Sequence, residues 1–234
     1  MRDWIPHKKV NKLHLGCGLH TPEGWINIDG SWNAWLAKYP ILRKVLKALH
    51  ILPESLINIP WKPSILIHDV RKPLPFKDNS ICAIYASHLL EHLYLEEGKR
   101  LLRECFRIIQ PCGVLRIVVP DLRAIVLEYM DEKPFDHSSD DMEVVNRADR
   151  LNRSLLLRSP ESPSGNMIYR IYSTLKDFHS HKWMYDADSL IMYFKWAGFM
   201  DVQEMKFNES RIEGIEKVEE AGRGIYIEGS KPKY

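Results

Sequence analysis

The sequence predicts an α/β fold: a doubly wound, mostly parallel sheet with helical insertions. Three observations predict it. Short β-branched and apolar runs recur without a polar face, as strands covered on both sides require. Segments of helical periodicity lie between them. Gly, Pro or Asp stands where most runs end, at the points where such a sheet hands the chain to its next crossover.

The strands follow in order. Lys12–Leu15 is apolar and ends at Gly16. Trp25–Asp29 alternates as a second strand. Ile65–His68 is a third, stopped by Asp69 and by Pro73 and Pro75. Ile81–Ala86 is a fourth. Val114–Val119 is a fifth, begun by the Pro111-Cys112-Gly113 turn and stopped by Pro120. Val202–Phe207 and Gly224–Glu228 complete a set of seven. Between the fourth and fifth, Glu96–Ile109 reads as a helix. Leu101, Leu102, Cys105, Phe106 and Ile109 form its buried stripe, with Lys99, Arg100, Arg103 and Arg107 outside it. Asp188–Ala197 reads as another helix, closed by Gly198 at C′.

Two stretches break the alternation, 31–64 and 131–180, and both are expected to cover the substrate as insertions in one domain spanning 1–234. The first holds Trp32, Trp35 and Trp61, read as packing before stacking on substrate. It also holds a basic amphipathic segment, Tyr39–Leu52. There Tyr39, Leu42, Leu46 and Leu49 form a stripe that faces the core in the simpler reading. In the sharper reading it touches a membrane surface peripherally. The second insertion is polar, with Pro134, Pro160 and Pro163.

Bulk properties narrow the function. Of 234 residues, 45 % are hydrophobic and 27 % charged, with a formal net charge of +2, so neither a nucleic-acid partner nor an acidic tail is expected. The four cysteines Cys17, Cys82, Cys105 and Cys112 form no CxxC pair, which points to a reduced compartment. Met1–Pro6 lacks the apolar core of a signal peptide, and no run reaches the roughly 18 apolar residues of a membrane span. A cytoplasmic monomer or homodimer without a transmembrane segment is the expectation.

Ligands of such sheets bind beyond the carboxyl ends of the strands. Leu15 closes the first strand, and Gly16-Cys17-Gly18 follow, where two glycines let a ligand lie on the backbone. Asp29, followed by Gly30, ends the second; its carboxylate suits a pair of ribose hydroxyls. Asp69 and Val70 follow the third, where a carboxylate suits an adenine amino group. Ser87 and His88 follow the fourth, and Asp121 the fifth. A dinucleotide site is disfavoured. Thr21 stands where the third glycine of G-x-G-x-x-G belongs, and Asp29 lies too soon after Gly18 for a complete intervening helix to face a pyrophosphate.

His88-Leu-Leu-Glu91-His92 matches H-x-x-E-H, a zinc-peptidase pattern of two histidines four apart on a helix. A zinc hydrolase needs a third ligand, for which Glu96 and Glu128 are candidates. No metal site is the leading expectation, and the zinc hydrolase is the alternative, with a non-catalytic nucleoside-binding scaffold the other. His179 and His181 are packed or solvated in the simple reading, and a base or substrate contact in the sharper one.

Leu13–Gly18, Gly24–Asp29, His68–Val70 and Ser87–Leu93 are similar, in order and spacing, to the motifs of class I S-adenosylmethionine-dependent methyltransferases. They are most similar to the small type 11 group, several of which accompany glycan biosynthesis. Arg103–Asp121 resembles that group's helix, proline–glycine turn and fifth strand. His181–Asp186, with Ala197–Phe199, resembles its late helix. His14 replaces a frequent acidic residue, the third loop glycine is missing, and the first helix is truncated. The resemblance implies a Rossmann-like methyltransferase fold, S-adenosyl-L-methionine as cofactor and S-adenosyl-L-homocysteine as product. It places Gly16, Cys17 and Gly18, preceded by Leu15, at the methionine moiety, Asp29 with Gly30 at the ribose, Asp69 with Val70 at the adenine, and Ser87 with His88 near the sulfonium. O-methylation of a hydroxyl on a small molecule or sugar is expected, with His88, His92 or His181 as base, in that order.

Overall fold

The computed structural model describes residues 12–48, 60–131, 147–156, 180–222 and 224–234. Most of the expected second insertion, including Pro134, Pro160, Pro163 and His179, lies outside the described residues, as does 49–52 of the basic segment.

Seven strands form one sheet in the order β3-β2-β1-β4-β5-β7-β6. They are β1 (Lys12–Leu15), β2 (Ile26–Asp29), β3 (Leu66–Ile67), β4 (Ile81–Ser87), β5 (Ile109–Val119), β6 (Met200–Met205) and β7 (Ile225–Ser230). All pairings are parallel except those of β7, which runs antiparallel to β5 and β6. The chain leaves β1 toward β2 and β3, then returns to place β4 on the other side of β1. The loops after β1 and β4 therefore part in opposite directions and leave a crevice.

The expected strands are all present, with shifted ends. β3 keeps two residues of the expected four, and β5 begins at Ile109 because Pro111 cannot continue a helix and its predecessors are pushed to extended backbone. The helices are α1 (Trp32–Ala37), α2 (Pro40–Ala48), α3 (Leu95–Ile108), α4 (Leu122–Met130), α5 (Arg147–Leu155) and α6 (Ala187–Ala197). α3 buries Leu101, Leu102, Cys105 and Ile108 against one face of the sheet, and α6 adds Leu190 and Phe194 to the same core. Gly198 closes α6 at φ +109°, a conformation glycine adopts without strain. α2 departs from the simpler expectation. None of its residues is buried, and Tyr39 and Leu42 are exposed, so the stripe is not a core face. Among the described residues, no helix is long and apolar enough to cross a membrane.

No helix joins β1 to β2; residues 16–25 form turns. On that side Trp25, Tyr85, Val118 and Tyr226 pack instead against Ile212, Ile215 and Val218 of a strap between β6 and β7. Arg116, fully buried on β5, pins the strap. Its Nε and Nη2 donate to the Glu219 carboxylate at 2.6 and 2.9 Å, and Nη1 to Glu228 at 3.2 Å. Nη1 and Nη2 also reach the carbonyls of Glu209 and Lys206, at 3.0 and 2.8 Å. All five guanidinium N–H groups are thereby used, which a buried cation requires.

His14 sits on β1 beside Tyr85 and His20 and is 4 % exposed. Burial, then the neighbouring His20, lowers its pKa from 6.5 to about 4. The folded protein thus binds fewer protons here than the unfolded chain between those values. The stability this residue contributes is complete above pH 6.5 and is lost as pH falls toward 4. In urea unfolding, wild type is expected to lose about 3 kcal/mol more than His14→Phe between about pH 7 and about pH 4. Equal losses contradict the assignment.

Candidate cofactor cleft and histidine cluster

The strand ends meet through one carboxylate. Asp29 Oδ2 accepts from the Gly18 amide at 3.0 Å, and Oδ1 from the Ser31 amide at 2.7 Å. Its carbonyl accepts from His68 N at 3.2 Å, and Cys17 N donates to Ile28 O at 3.0 Å. The loops after β1, β2 and β3 are thereby bound to one another. Gly30 packs so closely on the third loop that a Cβ would lie 2.5 Å from the His68 carbonyl oxygen, so only glycine fits. A Cβ on Gly16 would meet Leu89 at 3.1 Å, which brings in the loop after β4. The space beside Gly18 is open, with nothing within 4 Å of where its Cβ would be. Leu15 to Gly18, Asp29, Gly30, Asp69, Val70, Ser87 and His88 are thus gathered at one end of the sheet.

Asp69 and Cys17 are each shaped by a charged neighbour. Asp69 is already paired. Arg71 Nε and Nη2 each donate to its carboxylate at 2.8 Å, and the Arg71 amide at 3.0 Å. The Arg71 hydrogen bonds hold its carboxyl below the usual range, so a nucleobase would share the remaining lone pairs. The Cys17 thiol is pushed up to about 12 by burial and by Asp29, which makes it a packing group and not a nucleophile.

After β4 the backbone reverses at His88, a non-glycine residue at φ +48° whose amide donates to Val118 O at 3.0 Å. Left-handed backbone at a histidine stores strain of the kind functional loops retain. Its Nδ1 lies 3.1 Å from Oε1 of Glu91, which is 1 % exposed. That hydrogen bond, opposed by burial, raises the His88 pKa. The His88 side chain is half-exposed, and its Nε2 lies 3.8 Å from the Cβ position of Gly222 on the strap.

The H-x-x-E-H segment is not helical. Leu90–His92 is one 3-10 turn, Leu93 is extended, and α3 starts at Leu95, so His88 and His92 do not share a helix face as the zinc-peptidase pattern requires. Glu96 pairs with Lys99 on the surface and Glu128 lies near Arg150; neither joins the histidines. His92 turns instead to His181, with ring centroids 5.1 Å apart. The segment carrying His181 is anchored beside Asp121, which caps α4 and bridges to Tyr185. Burial lowers the His181 pKa. The pairing of Arg71 with Asp69 and the contact of Glu91 with His88 were not anticipated from the sequence. Both had a local signal, a complementary charge two and three residues away. The approach of His181 to His92 had none, since 88 residues separate them.

A protein-family model described as a methyltransferase domain matches residues 35–117. A search of curated proteins by sequence finds no match. Among solved structures, the chain is similar to an S-adenosylmethionine-dependent methyltransferase from Methanosarcina mazei, at 16 % identity and TM-score 0.48, over 95 % of this chain and 92 % of that one. One from Archaeoglobus fulgidus gives 13 % identity and TM-score 0.47, over 94 % and 85 %. PigF, solved with S-adenosylhomocysteine, gives 15 % identity and TM-score 0.44 over 94 % of this chain, which spans about half (49 %) of PigF's length. The match to a methyltransferase domain model over residues 35–117, the sheet order with its single reversed strand and the glycine loop clamped by Asp29 are features in which the chain is similar to class I S-adenosylmethionine-dependent methyltransferases.

Proposed function

We infer that the protein O-methylates a hydroxyl on a small molecule or glycan, using His88 as general base. The observation that carries this is the His88–Glu91 pair, 3.1 Å apart, on the loop that touches Gly16 through Leu89. The cofactor supplies an already activated methyl group, so the chain's task is alignment, exclusion of water and removal of one proton. Gly16 and Gly18 offer bare backbone to the methionine moiety. Asp29 retains lone pairs for ribose hydroxyls beyond its two amide bonds. Asp69 and Val70 flank the adenine. His88 accepts the proton of the acceptor hydroxyl at Nε2, while Glu91 fixes the ring through Nδ1 and stabilises the imidazolium that forms. His92 and His181 suit this task less well, because the partner of His92 Nδ1 is a neutral carbonyl, Ser180 O at 3.2 Å, which stabilises an imidazolium less than a carboxylate does, and His181 is buried.

Ile41, Leu42 and Val45 of α2 are exposed among Arg43, Lys44 and Lys47. That combination supports a peripheral contact with an anionic membrane.

Two measurements test this reading. In calorimetry with S-adenosylhomocysteine, Asp29→Ala is expected to weaken binding by about 1.5–3 kcal/mol, the worth of a charge-assisted hydrogen bond; unchanged affinity removes Asp29 from the site. With labelled S-adenosylmethionine and a panel of hydroxylated sugars and phenols, His88→Ala is expected to lower kcat about 10²–10⁴-fold. The product's affinity should change little. Turnover equal to wild type contradicts a basic role for His88.

A further inference from the structure

We propose that Glu91, His92 and His181 form a binding site for a divalent transition-metal ion, with zinc the best match to two imidazoles and a carboxylate. Each offers one ligand atom, and the three atoms lie within 4.8 Å of one another. Zinc bonds of about 2.1 Å in tetrahedral geometry place ligand atoms roughly 3.4 Å apart, so small side-chain rotations close the set.

Two buried atoms point to the ion. Glu91 Oε2 and His181 Nδ1 have no hydrogen-bond partner, although Glu91 is 1 % and His181 6 % exposed. A carboxylate oxygen stripped of water and left unpaired is costly, and a bound cation removes that cost. The surrounding bonds orient the donors as the second layer of a metal site does. His92 Nδ1 donates to Ser180 O at 3.2 Å, which fixes the proton on Nδ1 and leaves Nε2 as the free donor. His88 Nδ1 occupies Glu91 Oε1 at 3.1 Å, which leaves Oε2. The amides of Lys182 and Trp183 hold the Glu91 carbonyl at 2.7 and 3.2 Å, and Lys182 Nζ holds the His92 carbonyl at 3.0 Å. The segment carrying His181 is thus docked directly on the turn carrying the other two ligands.

This set differs from the one the H-x-x-E-H spacing offers, in which His88 and His92 would be the histidine ligands. With three protein ligands, a fourth position on zinc stays open for water or a hydroxyl oxygen. The site does not depend on methyl transfer, and its test uses no cofactor.

Full-length protein freed of metal by chelation and dialysis is titrated with Zn²⁺, and bound metal is measured by atomic absorption. Co²⁺ serves as a spectroscopic probe. One ion per chain is expected, with the visible bands of cobalt bound by nitrogen and oxygen and no thiolate charge-transfer band. His92→Ala and His181→Ala should each weaken binding more than about 100-fold, since each removes a ligand. His88→Ala should still bind one ion. Circular dichroism of each metal-free variant checks folding, and Glu91→Gln, which keeps the side chain's shape, provides a ligand variant that perturbs packing least. Absence of tight Zn²⁺ binding overturns the proposal, as does binding that survives in a folded His181→Ala or disappears in a folded His88→Ala. Since S-adenosylhomocysteine binding is read separately, failure here leaves the methyltransferase reading standing.

Discussion

The Asp29 carboxylate receives the amides of Gly18 and Ser31, and those two bonds tie the loop after the first strand to the start of the first helix. The rest of the cleft follows from that attachment. Gly30 can then lie against the His68 carbonyl, and the third loop with Asp69 is drawn in beside it. Without a helix between the first two strands, no helix N-terminus steadies the glycine loop. A buried acceptor does so from below. A site built in this way suits a ligand without phosphates, because the backbone donor at Gly18 is already engaged by Asp29 and no helix between β1 and β2 presents its N-terminus there.

The missing helix has a second consequence. One face of the sheet would lie bare between Trp25 and Tyr226, and the strap from 206 to 222 covers it with Ile212, Ile215 and Val218. A strap with so little regular structure needs an anchor. Arg116 provides it by spending all five of its donors on strap carbonyls and on the Glu219 and Glu228 carboxylates. Replacing one partner of such a cluster exposes the others to burial without compensation. The strap also passes beside His88 at Gly222, and His20 contacts the Lys217 carbonyl and Glu220. The covering of the core and the wall of the cleft are therefore one piece of chain.

The strands and the glycine turn after β1 were legible because their signals are local. A β-branched run ending in Gly16 or Asp29 needs no distant information to be read as a buried strand and its turn. Helix α3 was legible for the same reason, through Leu101, Leu102 and Cys105, which do share its buried stripe; Ile108 fills the end of that stripe where Ile109 was expected. Helix α2 shows where periodicity fails. Tyr39, Leu42 and Leu46 repeat correctly, yet what an amphipathic stripe faces is decided by the tertiary neighbourhood. The H-x-x-E-H segment fails in a related way. Spacing predicts a helix face, and the reversal at His88 with a single 3-10 turn places the histidines in different surroundings. The meeting of Glu91 and His92 with His181 depends on how the chain after α5 docks, and no short-range pattern encodes that.

A nucleoside without phosphates is expected to lie across the joined loops with its ribose on Asp29. A crystal structure of the protein grown with S-adenosylhomocysteine tests it most directly. Both ribose hydroxyls are expected within hydrogen-bond distance of the Asp29 carboxylate, with the amino-acid end over the open space at Gly18. A ligand bound elsewhere, or a ribose turned away from Asp29, would contradict it.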